Sequence, residues 1–181
     1  MPRPPRVLLL PGWLDSDAAH WQSRWQALYG ALRVTQDDWL WPKRGDGMAR
    51  LEAVLLADAG PPALLVAHSL GCQLVAAWAA HSRHTARVRG ALLVAPPDTE
   101  RGDDMPPNLF SWRPIVRARL PFAAIVVGSS DDPYCAPERS AEMARDWGAA
   151  LIDIGARGHI NGESGLGDWP GGRALLDGLR I

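Results

Sequence analysis

Short apolar stretches recur along this chain and alternate with segments of helical spacing. The stretches run for about four to eight residues without the every-other-residue alternation of a sheet with one wet face, so they predict strands buried on both faces. These strands are predicted at 7–10, 63–67, 90–95, 123–127 and 149–154, and a separate, weaker strand is predicted at 32–35. Helices are predicted at 19–29, 48–57, 70–80, 137–147 and 172–179. Since helical crossovers between parallel strands share one hand, the order predicts a doubly wound, mostly parallel α/β sheet of about six strands with helices on both faces.

The length of 181 residues suits one domain, 1–181, whose core is large enough to be stable without disulfides or metals. Charged residues make up 22% of the chain and the set AVILMFWYC 47%, which excludes a disordered tail or a coiled coil. The segment 96–114 has no periodicity and is rich in Pro, Asp and Arg. A loop of this length predicts a functional role, as a lid or the rim of a site.

The charge balance and hydropathy exclude two classes of partner. Lys+Arg 19 against Asp+Glu 20 gives a net charge of -1, and no basic run is long enough to bind nucleic acid. No segment approaches the roughly 18 apolar residues of a membrane span, so we expect a soluble cytoplasmic protein without membrane contact. Cys72 and Cys135 form neither a C-x-x-C motif nor a disulfide framework, and both are expected to be reduced thiols.

A serine follows the third predicted strand at a position suited to a nucleophile. The run Ala67-His68-Ser69-Leu70-Gly71 joins that strand directly to a helix. This context is typical of a nucleophile elbow, in which small neighbours leave room for a sharp turn and the helix N-terminus faces the reacting centre. Ala67 replaces the first Gly of G-x-S-x-G, and we expect its methyl group to be tolerated. The alternative interpretation is a serine that only caps the helix.

A serine nucleophile requires a histidine base and an acid that orients it. In this fold they follow later strands in the chain order Ser, acid, His. Here Asp131 and Asp132 follow the fifth predicted strand, and His159 follows the sixth. Either carboxylate satisfies the spacing, and the run Asp-Asp-Pro is also an ordinary turn sequence. The residues alone therefore predict Ser69 and His159 with one of two neighbouring acids.

Motifs along most of the chain carry a family resemblance. They are Leu10-Pro11-Gly12-Trp13, Asp15-Ser16, His20-Trp21, the elbow run, Ala95-Pro96-Pro97-Asp98, Ser129-Ser130-Asp131-Asp132-Pro133-Tyr134, Gly158-His159-Ile160-Asn161 and Gly165-Leu166-Gly167. The chain resembles the YdeN-like small serine hydrolases of the α/β-hydrolase fold, which include the retinoblastoma-binding-protein-nine relatives. The resemblance implies that the acid is the Asp immediately before Pro, which is Asp132, with Asp131 as its neighbour. It also implies a reduced sheet without the usual first hairpin.

An oxyanion hole needs two N–H donors. By analogy with the fold, they are the backbone N–H of Leu70, which follows the nucleophile, and that of Trp13 in the turn after the first strand. His20 matches a family position and is expected to support the site indirectly, while His68 is expected to point away from the elbow as a hydrogen-bonded support.

No metal or cofactor is expected at this site. His81 and His84 have a spacing of three residues that can bind a metal, but it more often marks a solvated helix end. The Gly-rich tail does not match a nucleotide-binding motif.

These residues predict a cofactor-free hydrolase of carboxylic esters, or of amides or thioesters, that forms an acyl-enzyme on Ser69. A chain of this length has no room for a large cap, so we expect a shallow site for small or extended substrates, roofed at most by 96–114 with Phe110 and Trp112. A competing hypothesis, suggested by the name of its relatives, is a protein-binding module with little turnover. A carbon–carbon or carbon–halogen hydrolase is disfavoured because dehalogenases commonly carry Asp where Ser69 stands.

Overall fold

A computed structural model describes residues 3–102 and 104–180 of the chain. The strands are β1 (Val7–Leu10), β2 (Leu32–Arg33), β3 (Ala63–His68), β4 (Val88–Val94), β5 (Ala123–Gly128) and β6 (Ala150–Asp153). They form one six-stranded sheet in the order β2-β1-β3-β4-β5-β6. All five neighbouring pairs are parallel. The prediction of a parallel α/β sheet is confirmed.

The α-helices of the described chain connect these strands. They are α1 (Trp21–Tyr29), α2 (Arg44–Leu56), α3 (Leu70–His81), α4 (Pro137–Trp147) and α5 (Pro170–Gly178). Short 3-10 helices lie at Thr85–Arg87, Pro107–Trp112 and Gly162–Ser164. No helix in the described ranges is both long enough and apolar enough to span a bilayer.

Successive strand residues pack into two separate cores, one on each face of the sheet. Leu8 and Leu10 of β1 belong to the core that contains buried residues of α2, α3 and α4. Leu9 belongs to the other core, which contains buried residues of α1 and α5. Because side chains alternate between the faces of a strand, covering both faces requires an unbroken apolar run. This packing explains the sequence pattern and makes the sheet doubly wound.

The prediction of buried strands is wrong for β6. Its four residues are all exposed, with Leu151 at 41% and Ile152 at 36% relative exposure. The strand is last in the sheet order and pairs only with β5. Its apolar side chains therefore lack the neighbours that cover the central strands.

The segment 96–114 is more ordered than its sequence predicts, because Pro107–Trp112 forms a 3-10 helix. Proline at the first position of that helix has a backbone φ angle already suited to it. The indole N–H of Trp112 donates to the backbone oxygen of Pro42 at 2.8 Å. The amide of Asn108 donates to the backbone oxygen of Leu40. Tertiary contacts, rather than a periodic pattern, hold this helix.

Candidate active site

Ser69 lies at the sharp turn between β3 and α3. Its backbone has φ 55° and ψ -125°, a combination that costs a non-glycine residue roughly 1–3 kcal/mol. Ser69 occupies the N-cap position of α3, but its side chain makes no capping hydrogen bond. The strained turn instead presents the hydroxyl outside the helix, which disfavours the interpretation of Ser69 as a simple cap.

Small residues around the turn are required by contact distances. A Cβ atom on Gly71 would lie 2.1 Å from the backbone oxygen of Leu10, and one on Gly12 would lie 2.6 Å from the Cβ of Ser69. Both approaches are far inside normal contact. Ala67, in contrast, is fully buried within the core on the α2–α3 face, so a methyl group fits where the motif has its first Gly.

The turn brings Ser69 together with His159 and Asp132. The Oγ of Ser69 lies 2.9 Å from Nε2 of His159, and both carboxylate oxygens of Asp132 lie 3.0 Å from Nδ1 of that ring. The side chains of His159 and Asp132 are only 10% and 3% exposed. A carboxylate can only accept at Nδ1, so Nδ1 carries the proton and Nε2 is free to accept the Ser69 hydroxyl proton. The ring therefore has the tautomer of a general base.

The two neighbouring acids have different contacts. Asp132 faces His159 and also accepts the backbone N–H of Tyr134 at 2.9 Å. Asp131 instead accepts the hydroxyl of Ser129 at 2.9 Å and the N–H of Gly158 at 2.7 Å. The Gly158 N–H, followed by the Ser129 hydroxyl, lowers the pKa of Asp131 below its usual range. Asp131 thus fastens the loop that carries His159, whereas Asp132 contacts the ring itself.

The loop that carries His159 is also held by residues of β3 and α1. The backbone oxygen of His159 accepts from Nε2 of His68 at 2.8 Å, and that of Ile160 accepts the indole N–H of Trp21 at 2.8 Å. Tyr134 packs edge-on against the His159 ring, with centroids 4.6 Å apart. The position of His159 is therefore fixed by contacts to both its backbone and its ring.

His20 and His68 lie beneath this loop, and both are buried. His20 is the N-cap residue of α1, where its Nδ1 accepts the N–H of Gln22 at 3.1 Å. Its Nε2 lies 3.3 Å from Nδ1 of His68. Burial lowers the pKa of His20 from 6.5 to about 4, an effect that Asp17 opposes. Burial also lowers the pKa of His68 well below its ordinary value, so both rings are neutral at physiological pH.

Leu70 and Trp13 both border the cleft beside Ser69. Within the part of the chain that the structure describes, neither backbone N–H donates a hydrogen bond to another protein group. Buried backbone N–H groups without a hydrogen-bond partner are rare in folded proteins. Both N–H groups therefore remain available to a ligand.

The cleft around Ser69 has a volume of about 540 Å³. One part of its lining is apolar and consists of Trp13, Leu14, Leu70, Met105, Pro106 and Leu109. Another part is polar and includes Asp15, Asp17, His20, His68, Asp98, Arg101, Tyr134 and Asn161. The cleft therefore offers a ligand both apolar and polar contacts around the nucleophile.

The segment 96–114 forms part of this cleft, but not through the two aromatic residues expected. Phe110 is 48% exposed, and Trp112 is buried in the core. Neither lines the cleft, because the 3-10 helix turns Trp112 inward toward Pro42. The expectation that these two rings roof the site is wrong.

The start of that segment is tied to α4 by ion pairs. Arg139 bridges Asp98 and Glu100, with distances of 3.0 and 2.9 Å. Arg117 adds a second contact to Glu100 at 2.9 Å. The carboxylates of this network raise the pKa of Arg139. Asp98 also lines the cleft, so the network fixes one part of its wall.

Among the described residues, no group of three or more His, Cys, Asp or Glu side chains is arranged to hold a metal ion. His81 bonds the carbonyl of its own helix at Ala77, and His84 lies near Glu52. Cys72 and Cys135 are free and buried, and burial raises the pKa of Cys135 to about 11.

Two residues important for the local geometry were not identified from sequence. Gln22 is fully buried, accepts the hydroxyl of Ser16 and donates to the backbone oxygen of Val66 at 3.0 Å. Ser129 accepts the N–H of Arg157 at 2.9 Å while donating to Asp131. A polar residue beside Trp21 on the apolar face of α1 is a signal for Gln22. Ser129 stands in one of the motifs named above, but nothing in that motif indicates its contacts with Asp131 and Arg157.

The parallel sheet, with a serine at a strand-to-helix elbow, defines the α/β-hydrolase class. The chain belongs to the serine hydrolase family, whose sequence model matches residues 7–178. The resemblance to YdeN-like small serine hydrolases is confirmed. No curated protein matches the chain.

Several solved structures share the fold. One is described as a YdeN-like hydrolase from Pectobacterium atrosepticum, with 26% identity, a TM-score of 0.84, and coverage of 96% of this chain and 90% of that chain. The ydeN gene product of B. subtilis has 19% identity and a TM-score of 0.72, covering 97% and 98%. An esterase from a Rhodococcus species has 14% identity and a TM-score of 0.69, covering 97% and 91%. The last two support the fold alone.

Proposed function

We propose that this serine hydrolase cleaves carboxylic esters, or related amides or thioesters, through an acyl-enzyme on Ser69. The observation that carries the proposal is the continuous chain Ser69–His159–Asp132, with contacts of 2.9 and 3.0 Å. His159 takes the Ser69 proton as the hydroxyl oxygen attacks the substrate carbonyl carbon, and then donates that proton to the leaving group. Asp132 holds the Nδ1–H tautomer and stabilises the imidazolium that forms.

The negative charge that develops on the carbonyl oxygen requires donors fixed in advance. The backbone N–H groups of Leu70 and Trp13 supply them in this proposal, since both residues border Ser69 and neither N–H is used elsewhere in the described chain. Losing one such donor typically costs about 10²- to 10³-fold in kcat. Hydrolysis of the acyl-enzyme repeats the same steps with water as the nucleophile.

The cleft supports small or extended substrates rather than bulky lipids. Its volume is about 540 Å³, and its apolar lining includes Met105 and Leu109 from the segment 96–114. An acyl group beside Ser69 would contact these side chains. The polar rim at Arg101 and Asn161 would contact a leaving group that extends toward solvent.

Hydrolysis of p-nitrophenyl acetate by matched variants tests this proposal. We expect Ser69→Ala and His159→Ala each to lose roughly 10⁴- to 10⁶-fold in kcat, and the double variant to lose little more, because the residues act as a unit. Ser130→Ala is the control, since Ser130 is exposed at the end of β5. A hydrolysis rate that survives both substitutions would refute the mechanism and favour a protein-binding role.

A further inference from the structure

The two buried imidazoles beneath the His159 loop have hydrogen-bond partners that determine their protonation. The N–H of Gln22 donates to Nδ1 of His20 at 3.1 Å, so that nitrogen carries no proton. A neutral His20 must then carry its proton on Nε2, which lies 3.3 Å from Nδ1 of His68. His68 accepts there and therefore carries its own proton on Nε2.

The His68 ring continues these hydrogen bonds, in the same direction, to the loop that carries His159. Nε2–H of His68 donates to the backbone oxygen of His159 at 2.8 Å. The ring centroids of His20 and His68 are 4.6 Å apart, and those of His68 and His159 are 4.9 Å apart. The hydrogen bonds thus run in one direction from the N-terminus of α1 to the main chain of the base.

We propose that His20 and His68 are positioning residues, which set the place of His159 through a directed chain of hydrogen bonds from the first turn of α1. The inference rests on the proposed function, because it concerns the base of that reaction. His20 and His68 act through the His159 backbone, so neither is a catalytic residue. These hydrogen bonds leave no ring nitrogen of His20 or His68 free for a further proton, since protonating either ring would make two N–H donors face each other.

This arrangement has a physical consequence for turnover. The Nε2 of His159 must stay within hydrogen-bond distance of Ser69 while Nδ1 stays on Asp132. A displacement of about 1 Å at a reacting group can cost about 10²-fold in rate. Removing the support below the His159 backbone should therefore lower kcat more than it changes KM, because His20 and His68 form only a small part of the cleft lining.

The N-cap role of His20 can be separated from its contact with His68. Asparagine is a favoured N-cap residue, so His20→Asn retains the acceptor for Gln22 while losing the long-reaching Nε2–H. We expect this variant to stay folded, with a lower urea midpoint because the buried Nδ1 of His68 loses its donor. Its kcat should fall about 10-fold, with KM within about twofold. A helix cap alone would predict full retention of kcat in this variant.

A second pair of variants tests the lower contact. His68→Leu removes the donor to His159, and we expect about a 100-fold loss of kcat. His68→Gln places an amide N–H near the former Nε2 position, and we expect it to retain kcat within about tenfold of the wild type. Equal losses in both variants would mean that the size or shape of the ring, rather than its hydrogen bond, matters.

Nitrogen-15 NMR of the histidine side chains shows which ring nitrogen carries the proton, without any turnover measurement. At about pH 7 we expect both His20 and His68 in wild-type protein to carry a proton on Nε2 and none on Nδ1. A proton on Nδ1 of either ring would overturn the inference. So would wild-type kcat in His20→Asn. Absence of Ser69-dependent hydrolysis in the wild-type protein would instead overturn the proposed function, and the inference with it.

Discussion

Replacing Asp132 with Asn should separate the two neighbouring acids by their effect on turnover. The N–H of Tyr134 donates to Oδ1 of Asp132 at 2.9 Å, so an Asn side chain keeps its carbonyl oxygen there. Its NH₂ group then takes the Oδ2 position, 3.0 Å from Nδ1 of His159. An NH₂ donor at that position competes with the Asn oxygen, which also lies 3.0 Å from Nδ1. It favours the tautomer with the His159 proton on Nε2, where that proton faces the Ser69 hydroxyl and prevents proton transfer.

The expected magnitude follows from losing the correct tautomer. A change of this kind costs about 10⁴-fold in kcat, and at about 1.36 kcal/mol per factor of ten that is roughly 5 kcal/mol of transition-state stabilisation. Asp131→Asn is the matched control, because an Asn oxygen can still accept from Ser129 and Gly158. We expect that control to lose less than about tenfold, since the loop stays fastened.

Initial rates with p-nitrophenyl acetate measure both variants, and thermal unfolding by circular dichroism checks that each one folds. Equal losses of kcat in Asp132→Asn and Asp131→Asn would refute the assignment of Asp132 as the orienting acid. A larger loss in folded Asp131→Asn would assign that role to its neighbour.

Two further predictions concern Gly12, which packs against Ser69, and the buried His20. Gly12→Ala should lower kcat by at least about 100-fold, because its Cβ would lie 2.6 Å from that of Ser69. Gly45→Ala is the control, because a Cβ at Gly45 meets nothing within 4 Å, and it should keep the wild-type kcat and gain up to about 1 kcal/mol of stability. A wild-type kcat in Gly12→Ala would contradict the argument. The pKa of His20 falls from 6.5 to about 4 on folding, so between these values the unfolded chain binds the extra proton and stability declines as pH falls. Urea unfolding at about pH 7 and pH 5 measures the free energy of unfolding, which should fall by about 2 kcal/mol less in His20→Asn than in the wild type over this interval. Equal losses of free energy in the two proteins would exclude His20 as a source of the pH dependence.

The sheet could be predicted because burial on both faces leaves a direct signal in the sequence. β1 and α4 begin and end at the predicted residues, Val7–Leu10 and Pro137–Trp147. The prediction that β6 is buried is wrong, because an apolar run indicates a strand but not whether that strand lies at the edge of the sheet. The 3-10 helix at Pro107–Trp112 depends on contacts with Pro42, which lies far away in the chain.

In the candidate site too, some residues have a local sequence signal and others do not. Ser69 and His159 carry local signals, because each follows a strand in a recognisable turn. Asp131 and Asp132 could not be separated by spacing, since adjacent residues in one turn present their side chains to different neighbours. The contact between His20 and His68 joins residues 48 positions apart and has no periodic signature. Such contacts depend on how α1 packs against the ends of β1 and β3.

Labelling with a fluorophosphonate probe, followed by peptide mapping, tests the central claim most directly. Such probes react with a serine hydroxyl that a neighbouring base activates, and the structure places Ser69 in contact with Nε2 of His159 at 2.9 Å. We expect stoichiometric label on Ser69 in the wild-type protein, none elsewhere in the chain, and a large loss of labelling rate in His159→Ala. Folded wild-type protein that takes up no label, or that carries it on another serine, would contradict the account.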